Sequence, residues 1–80
     1  MNEEDITAAV FAALAEIAPE IDDTMIDRHA DLRDQADLDS MDFLNFVVGL
    51  HERLDIDIPE ADYSRLATVD SCIAYLASRV

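Results

Sequence analysis

Apolar residues recur every three or four positions in three stretches of the chain, and no stretch alternates over a length that would make a useful strand. That spacing belongs to helices that bury one face. Twelve alanines favour helix and close helix packing, and a single glycine leaves little to interrupt one. The expected fold is all-α: a four-helix bundle with three longer helices and a short third helix, occupying residues 1–80 as one domain.

The first helix is expected from about Glu3 to Ala18. Glu3, Glu4 and Asp5 sit where the helix dipole favours acid, and Pro19 pushes the residue before it out of the helical region. Ile6, Val10, Leu14 and Ile17 form its buried stripe. An acidic connection from Pro19 to Asp39 follows, and Ile21, Met25, Ile26 and Leu32 are expected to pin it across the bundle. The second helix should start at Asp39 or Ser40 and reach about Leu54, because Asp39-Ser40-Met41-Asp42 offers capping side chains and an acid in the first turn. An extended linker at Asp55–Pro59 leads to the short third helix, with Pro59 at its start and its end near Leu66. Thr68 can cap the last helix, whose stripe is Val69, Cys72, Ile73, Leu76 and Val80.

Charge narrows the function classes. Nineteen acids against five arginines and no lysine give −14. Nucleic acid and anionic membranes both demand clustered basic residues, so neither is an expected partner. Folding is still expected, since 26 residues are Val, Ile, Leu, Met or Phe. The longest purely apolar run, Ala8–Ala15, is too short to span a membrane, which needs about 18 residues or more. A cytoplasmic monomer is the expectation. Cys72 is the lone cysteine and lies on a core stripe, where a small buried hydrophobe is the usual role. The clustered aspartates lack the ligand spacing and glycine of a calcium loop, so no metal is expected.

The second helix carries more apolar surface than a core needs. At about 100° per residue, Phe43, Phe46, Val47, Leu50 and Leu54 already make one full stripe. Met41, Leu44, Val48 and His51 continue it into a second arc. Packing against neighbours on both sides could bury that arc; the alternative is a docking strip rimmed by Asp39, Asp42 and Glu52. Beside it lies Ser40, either a helix cap or a hydroxyl placed to carry a phosphate at the positive end of a dipole. Ser40 and His51 cannot act as nucleophile and base, because eleven residues along one helix separate them by roughly 16 Å.

The run Asp39-Ser40-Met41-Asp42 opens an apolar helix after an acidic loop and is followed by Ile58-Pro59 and Ala67-Thr68-Val69. In this it resembles the acyl carrier proteins, whose pattern is Asp-Ser-Leu. The resemblance runs from about Ala36 to Leu76. It implies that Ser40, with Asp39 beside it, is the attachment site of 4′-phosphopantetheine, donated by coenzyme A through a phosphopantetheinyl transferase. The terminal thiol of that arm would hold acyl groups as thioesters for acyl-transferring, condensing or ligase enzymes of fatty-acid, polyketide or other specialised lipid biosynthesis. The chain itself would catalyse nothing. By the same resemblance, partners would dock on Met41, Asp42, Leu44, Asn45, Val48, His51 and Glu52. A peptidyl or aminoacyl carrier is the alternative within the family, and an unmodified acidic helical adaptor the alternative outside it.

Three departures from the family pattern matter. The usual Leu-Gly ahead of the serine is replaced by Ala36-Asp37, leaving the geometry of that turn open. Asn45 and His51 stand where fatty-acid carriers often have Glu. Phe43 and Tyr63 stand where smaller residues often border the acyl cavity, so a more filled bundle is expected.

Overall fold

Asn2 starts the first helix by accepting a hydrogen bond on Oδ1 from the Asp5 N–H at 2.9 Å. In this computed structural model, which describes residues 2–80 apart from the side chain of Asp23, helix α1 runs Glu3–Ile17. Met1, the first residue of the expected domain, lies outside the described residues. Ala18 leaves helical geometry one residue ahead of Pro19, at φ −140°. The long connection contains a 3-10 turn at Asp23–Met25 and a one-turn helix α2 at Leu32–Gln35. Helix α3 spans Ser40–Leu54, a 3-10 helix spans Glu60–Leu66, and helix α4 spans Val69–Ala77.

Helices α1, α3 and α4 enclose the core, with the connection and the 3-10 helix closing its sides. Ile6, Val10 and Leu14 meet Phe46, Leu50 and Leu76 there, all essentially without solvent contact. Ends of helices are satisfied by side chains. At α4, Thr68 Oγ1 accepts from the Ser71 N–H and Ser71 Oγ accepts from the Thr68 N–H, both at 3.0 Å. Such reciprocal capping satisfies donors that helix geometry leaves orphaned.

The fold is the all-helical bundle expected, with differences of detail. The connection is pinned by Leu32, fully buried, while Ile21 and Ile26 are half-buried and Met25 is 79% exposed. Turned into α2, the segment follows a helical period that brings Leu32 and Ala36 inward together. Backbone bonds tie it down as well, from the Leu32 N–H to Ala67 O at 2.7 Å and from the Asp70 N–H to Arg28 O at 3.0 Å. The third helix is 3-10 rather than α, begun by an i to i+3 bond from the Asp62 N–H to Pro59 O at 2.9 Å. Helix α4 ends at Ala77, which leaves Val80 exposed. Tyr75 joins the core instead, with its hydroxyl donating to Asp62 at 2.6 Å and the guanidiniums of Arg65 and Arg79 about 5 Å from its ring.

Gly49 faces α1, on a side of α3 that the helical wheel gives to polar residues. A Cβ at this position would lie 3.3 Å from the Ala13 Cβ and 3.8 Å from its Cα. Neither atom can rotate away, so the α1–α3 separation is set by the missing side chain. Gly49→Leu should therefore destabilise the protein by about 1–3 kcal/mol in denaturant unfolding, the usual cost of overpacking, despite leucine's better helix propensity. An unchanged midpoint would contradict the close approach.

Candidate functional site

The residues ahead of α3 end one helix and begin the next within a few positions. At the end of α2, the Leu38 N–H donates to Arg33 O at 2.9 Å and the Asp37 N–H to Asp34 O at 3.4 Å. These are the paired bonds of a Schellman termination, which requires its second-last residue in the left-handed region. Asp37 occupies that position at φ 54°, where the family pattern has glycine. The missing glycine thus leaves the turn intact, since aspartate is among the residues that tolerate this conformation. Leu38 is carried into the core and the chain emerges at Asp39.

Asp39, not Ser40, caps α3. Its Oδ1 accepts from the Asp42 N–H at 2.8 Å, and Asp42 Oδ2 accepts in return from the Asp39 N–H at 3.4 Å. Ser40 is consequently the first helical residue, exposed, with its hydroxyl outside the capping box. Beside it opens a cleft of about 620 Å³ between α3 and the 3-10 helix, lined by Arg33, Phe43, Leu44, Tyr63 and Ala67 among others. The side chain of Phe43 packs against Phe46 at 6.2 Å and edge-on against Tyr63 at 6.0 Å between ring centroids. Aromatic rings therefore fill the space behind the cleft. An exposed serine hydroxyl at a helix start, next to an open cleft with an arginine, fits the attachment of a phosphate-linked arm.

Helix α3 separates its two apolar arcs. Phe43, Phe46, Val47, Leu50 and Leu54 are buried, while Met41, Leu44 and Val48 are 65%, 42% and 44% exposed. Asn45, His51 and Glu52 are exposed on the same helix, and Asp42 is half-buried by its capping duty. One nitrogen of His51 is committed: Nδ1 lies 2.6 Å from Ile56 O, holding the Asp55–Pro59 linker against α3. Asp55, in the left-handed region at φ 53°, ends the helix there. Gly49 lies on the polar side of the α3 wheel, so periodicity does not mark it as a packing residue; a lone glycine inside a helix, opposite an alanine-rich one, is the signal that does.

Other candidate chemistries find no support in the geometry. Cys72 is buried, its thiol directed at Leu66 O at 3.5 Å, and burial pushes its pKa from 9.0 up to about 12. Among the described residues, no group of three or more His, Cys, Asp or Glu is placed to hold a metal ion. No helix among them is long and apolar enough to cross a membrane.

Comparison with known proteins agrees with this geometry. The family model of the phosphopantetheine attachment site matches residues 8–76. An acyl carrier protein of Lactobacillus johnsonii is 31% identical, with 98% of this chain and 96% of that protein aligned. One from an Exiguobacterium species is 30% identical over the full length of both. A solution structure assigned to the acyl carrier proteins, from Anaplasma phagocytophilum, superposes with a TM-score of 0.83 at 30% identity, covering 98% of this chain and 91% of the other.

Two measurements check the local physics. Asp37→Gly should raise stability by up to about 1 kcal/mol, because glycine meets no Cβ penalty at positive φ, and Asp37→Ala should lower it by a similar amount; equal stability of all three would show the turn to be unstrained. The folded state holds the Cys72 proton more tightly than the unfolded chain does. Its contribution is therefore complete below pH 9.0 and is lost as pH rises towards about 12. Burial and the Asp62 hydrogen bond raise Tyr75 too, with the same sign above pH 10.0. Unfolding free energy should accordingly fall over that alkaline range, less steeply in Cys72→Ala; a slope that Cys72→Ala leaves untouched would contradict a buried thiol.

Proposed function

The chain belongs to the acyl carrier proteins, and we propose that Ser40 is its point of attachment for 4′-phosphopantetheine, presented by the turn that Asp39 caps. It is a carrier and not an enzyme: the terminal thiol of the arm holds acyl groups as thioesters, and no residue of the chain reacts with them. The observation that carries the assignment to Ser40 is the division of labour at the start of α3. Asp39 and Asp42 satisfy each other's backbone N–H groups, so the Ser40 hydroxyl stands exposed and uncommitted to the cap. In the loading reaction the Ser40 oxygen forms a bond to the phosphorus nearest pantetheine in coenzyme A. The diphosphate P–O bond breaks, adenosine 3′,5′-bisphosphate leaves, and the hydroxyl proton passes to a base on the transferase.

Membership of the family implies two kinds of partner, a phosphopantetheinyl transferase and acyl-handling enzymes. The docking face we propose for them is the exposed strip of Met41, Leu44 and Val48, flanked by Asp42, Asn45, His51 and Glu52. An apolar centre with a charged rim suits a partner that must bind and release repeatedly, and the acids select a basic patch opposite. Attachment through a flexible arm keeps the cargo at high local concentration without tight docking. Residues 1–80 act in this reading as one carrier domain, a monomer in the cytoplasm, where a lone thiol such as Cys72 stays reduced. Fatty-acid, polyketide or specialised lipid synthesis is the proposed setting.

Incubation of the folded protein with coenzyme A and a broad-specificity phosphopantetheinyl transferase should add one phosphopantetheine by intact mass, and Ser40→Ala should add none. A folded wild-type chain that gains no mass, or a Ser40→Ala protein that still gains it, would overturn the assignment.

A further inference from the structure

We propose that Arg33 positions the root of the attached arm by pairing with its phosphodiester, an inference that rests on Ser40 being the attachment residue. The five arginines of the chain are not equally engaged. Arg28 pairs with Asp70, Arg53 with Glu16 and Arg79 with Asp62. Arg65 lies over Tyr75, the ring that Arg79 also covers, and does not line the cleft beside Ser40. Arg33 has no carboxylate partner among the described ion pairs, and its guanidinium lies 5.2 Å from the centroid of the Phe43 ring. A contact with a ring uses no oxygen acceptor, so the N–H donors of Arg33 stay available to an anion.

Position and charge then point the same way. Ser40 and Phe43 are three residues apart on α3, so their Cβ atoms are neighbours at about 5–6 Å on one face. A guanidinium over Phe43 therefore lies close to whatever extends from Ser40, and both residues line the same cleft. Among the described residues Arg33 is the one cation lining that cleft, whose other charged members are Asp31 and Glu60. The Schellman turn holds its backbone in place through the Leu38 N–H to Arg33 O bond at 2.9 Å. A singly charged phosphodiester on a surface of net charge −14 is repelled by most of the side chains around it, and on the cleft side this arginine is the charge that attracts it. Because Arg33 is exposed, the pair gives a modest bias of about two- to five-fold towards the cleft-side position of the arm rather than a lock.

Phosphorus-31 NMR of the loaded protein reads the pair directly. Wild type, Arg33→Gln, Arg33→Lys and Arg65→Gln are loaded, and loading is verified by intact mass. The wild-type resonance should differ from that of Arg33→Gln at low salt and converge on it between about 0.01 M and 1 M salt, as the screening length drops from roughly 30 Å to 3 Å. Arg33→Lys, which keeps the charge without the fork, should lie between them, and Arg65→Gln should match wild type. Identical wild-type and Arg33→Gln resonances, or a wild-type resonance indifferent to salt, would overturn the pairing. The salt series on wild type decides the matter even if Arg33→Gln unfolds. A folded wild-type chain that takes up no arm defeats the Ser40 assignment and this inference with it, whereas a loaded chain whose phosphorus ignores Arg33 defeats this inference alone.

Discussion

The need to satisfy backbone hydrogen bonds at two helix ends placed back to back shapes the functional end of this molecule. Between Arg33 and Asp42 the chain must close α2, reverse and open α3, and every N–H or C=O left unpaired there costs stability. A Schellman termination and a capping box meet that demand in consecutive residues. Three things follow from the same bonds: Leu38 is drawn into the core, Asp39 is fixed as the cap, and Ser40 becomes the first residue of a helix with a free hydroxyl. The Ser40 hydroxyl, the point of attachment we propose, owes its exposure to neighbours that take the structural duties it could otherwise have performed.

Helix α3 is shared between folding and function in a comparable way. One arc, from Phe43 to Leu54, is buried in the core and packs against α1, with Gly49 allowing α1 to approach. The other arc, Met41 with Leu44 and Val48, stays partly exposed, Leu44 and Val48 bordering clefts shared with the Asp55–Pro59 linker and the 3-10 helix. The connection and the 3-10 helix are instead held at the edges. Arg28 and His29 reach Asp70, and Tyr75 and Arg79 converge on Asp62. Each of these exposed pairs contributes little by itself. Together they commit Arg28 and Arg79, two of the five arginines, to joining segments, and the exposed strip stays apolar with Asp42, Asn45, His51 and Glu52 at its edges.

Much of this was legible in the sequence because helical periodicity and capping chemistry are local. The stripes of α1 and α3 and the cap at Thr68 depend on residues within one or two turns. The choice between Asp39 and Ser40 as cap was not legible, because both side chains are competent and the turn before them decides. That turn depends on Asp37 adopting a positive φ, which the sequence leaves open when glycine is absent. The burial of Tyr75 was hidden because its polar end is satisfied by Asp62 and its ring is covered by two arginines, contacts that no periodicity reports. Met25 misled for the opposite reason: an apolar residue in an irregular segment has no face assigned until the backbone is known. What local patterns do not supply is a role for an exposed serine, and the role we propose for Ser40 comes from the family resemblance.

Localising the arm on the chain is the most direct test of the central claim. Trypsin cuts after arginine, and the peptide Asp34–Arg53 contains Ser40 as its one hydroxyl-bearing residue. After loading from coenzyme A, tandem mass spectrometry should find the added phosphopantetheine on that peptide and on no other. Its appearance on a peptide bearing Ser64, Ser71 or Ser78, with Asp34–Arg53 unmodified, would contradict the account.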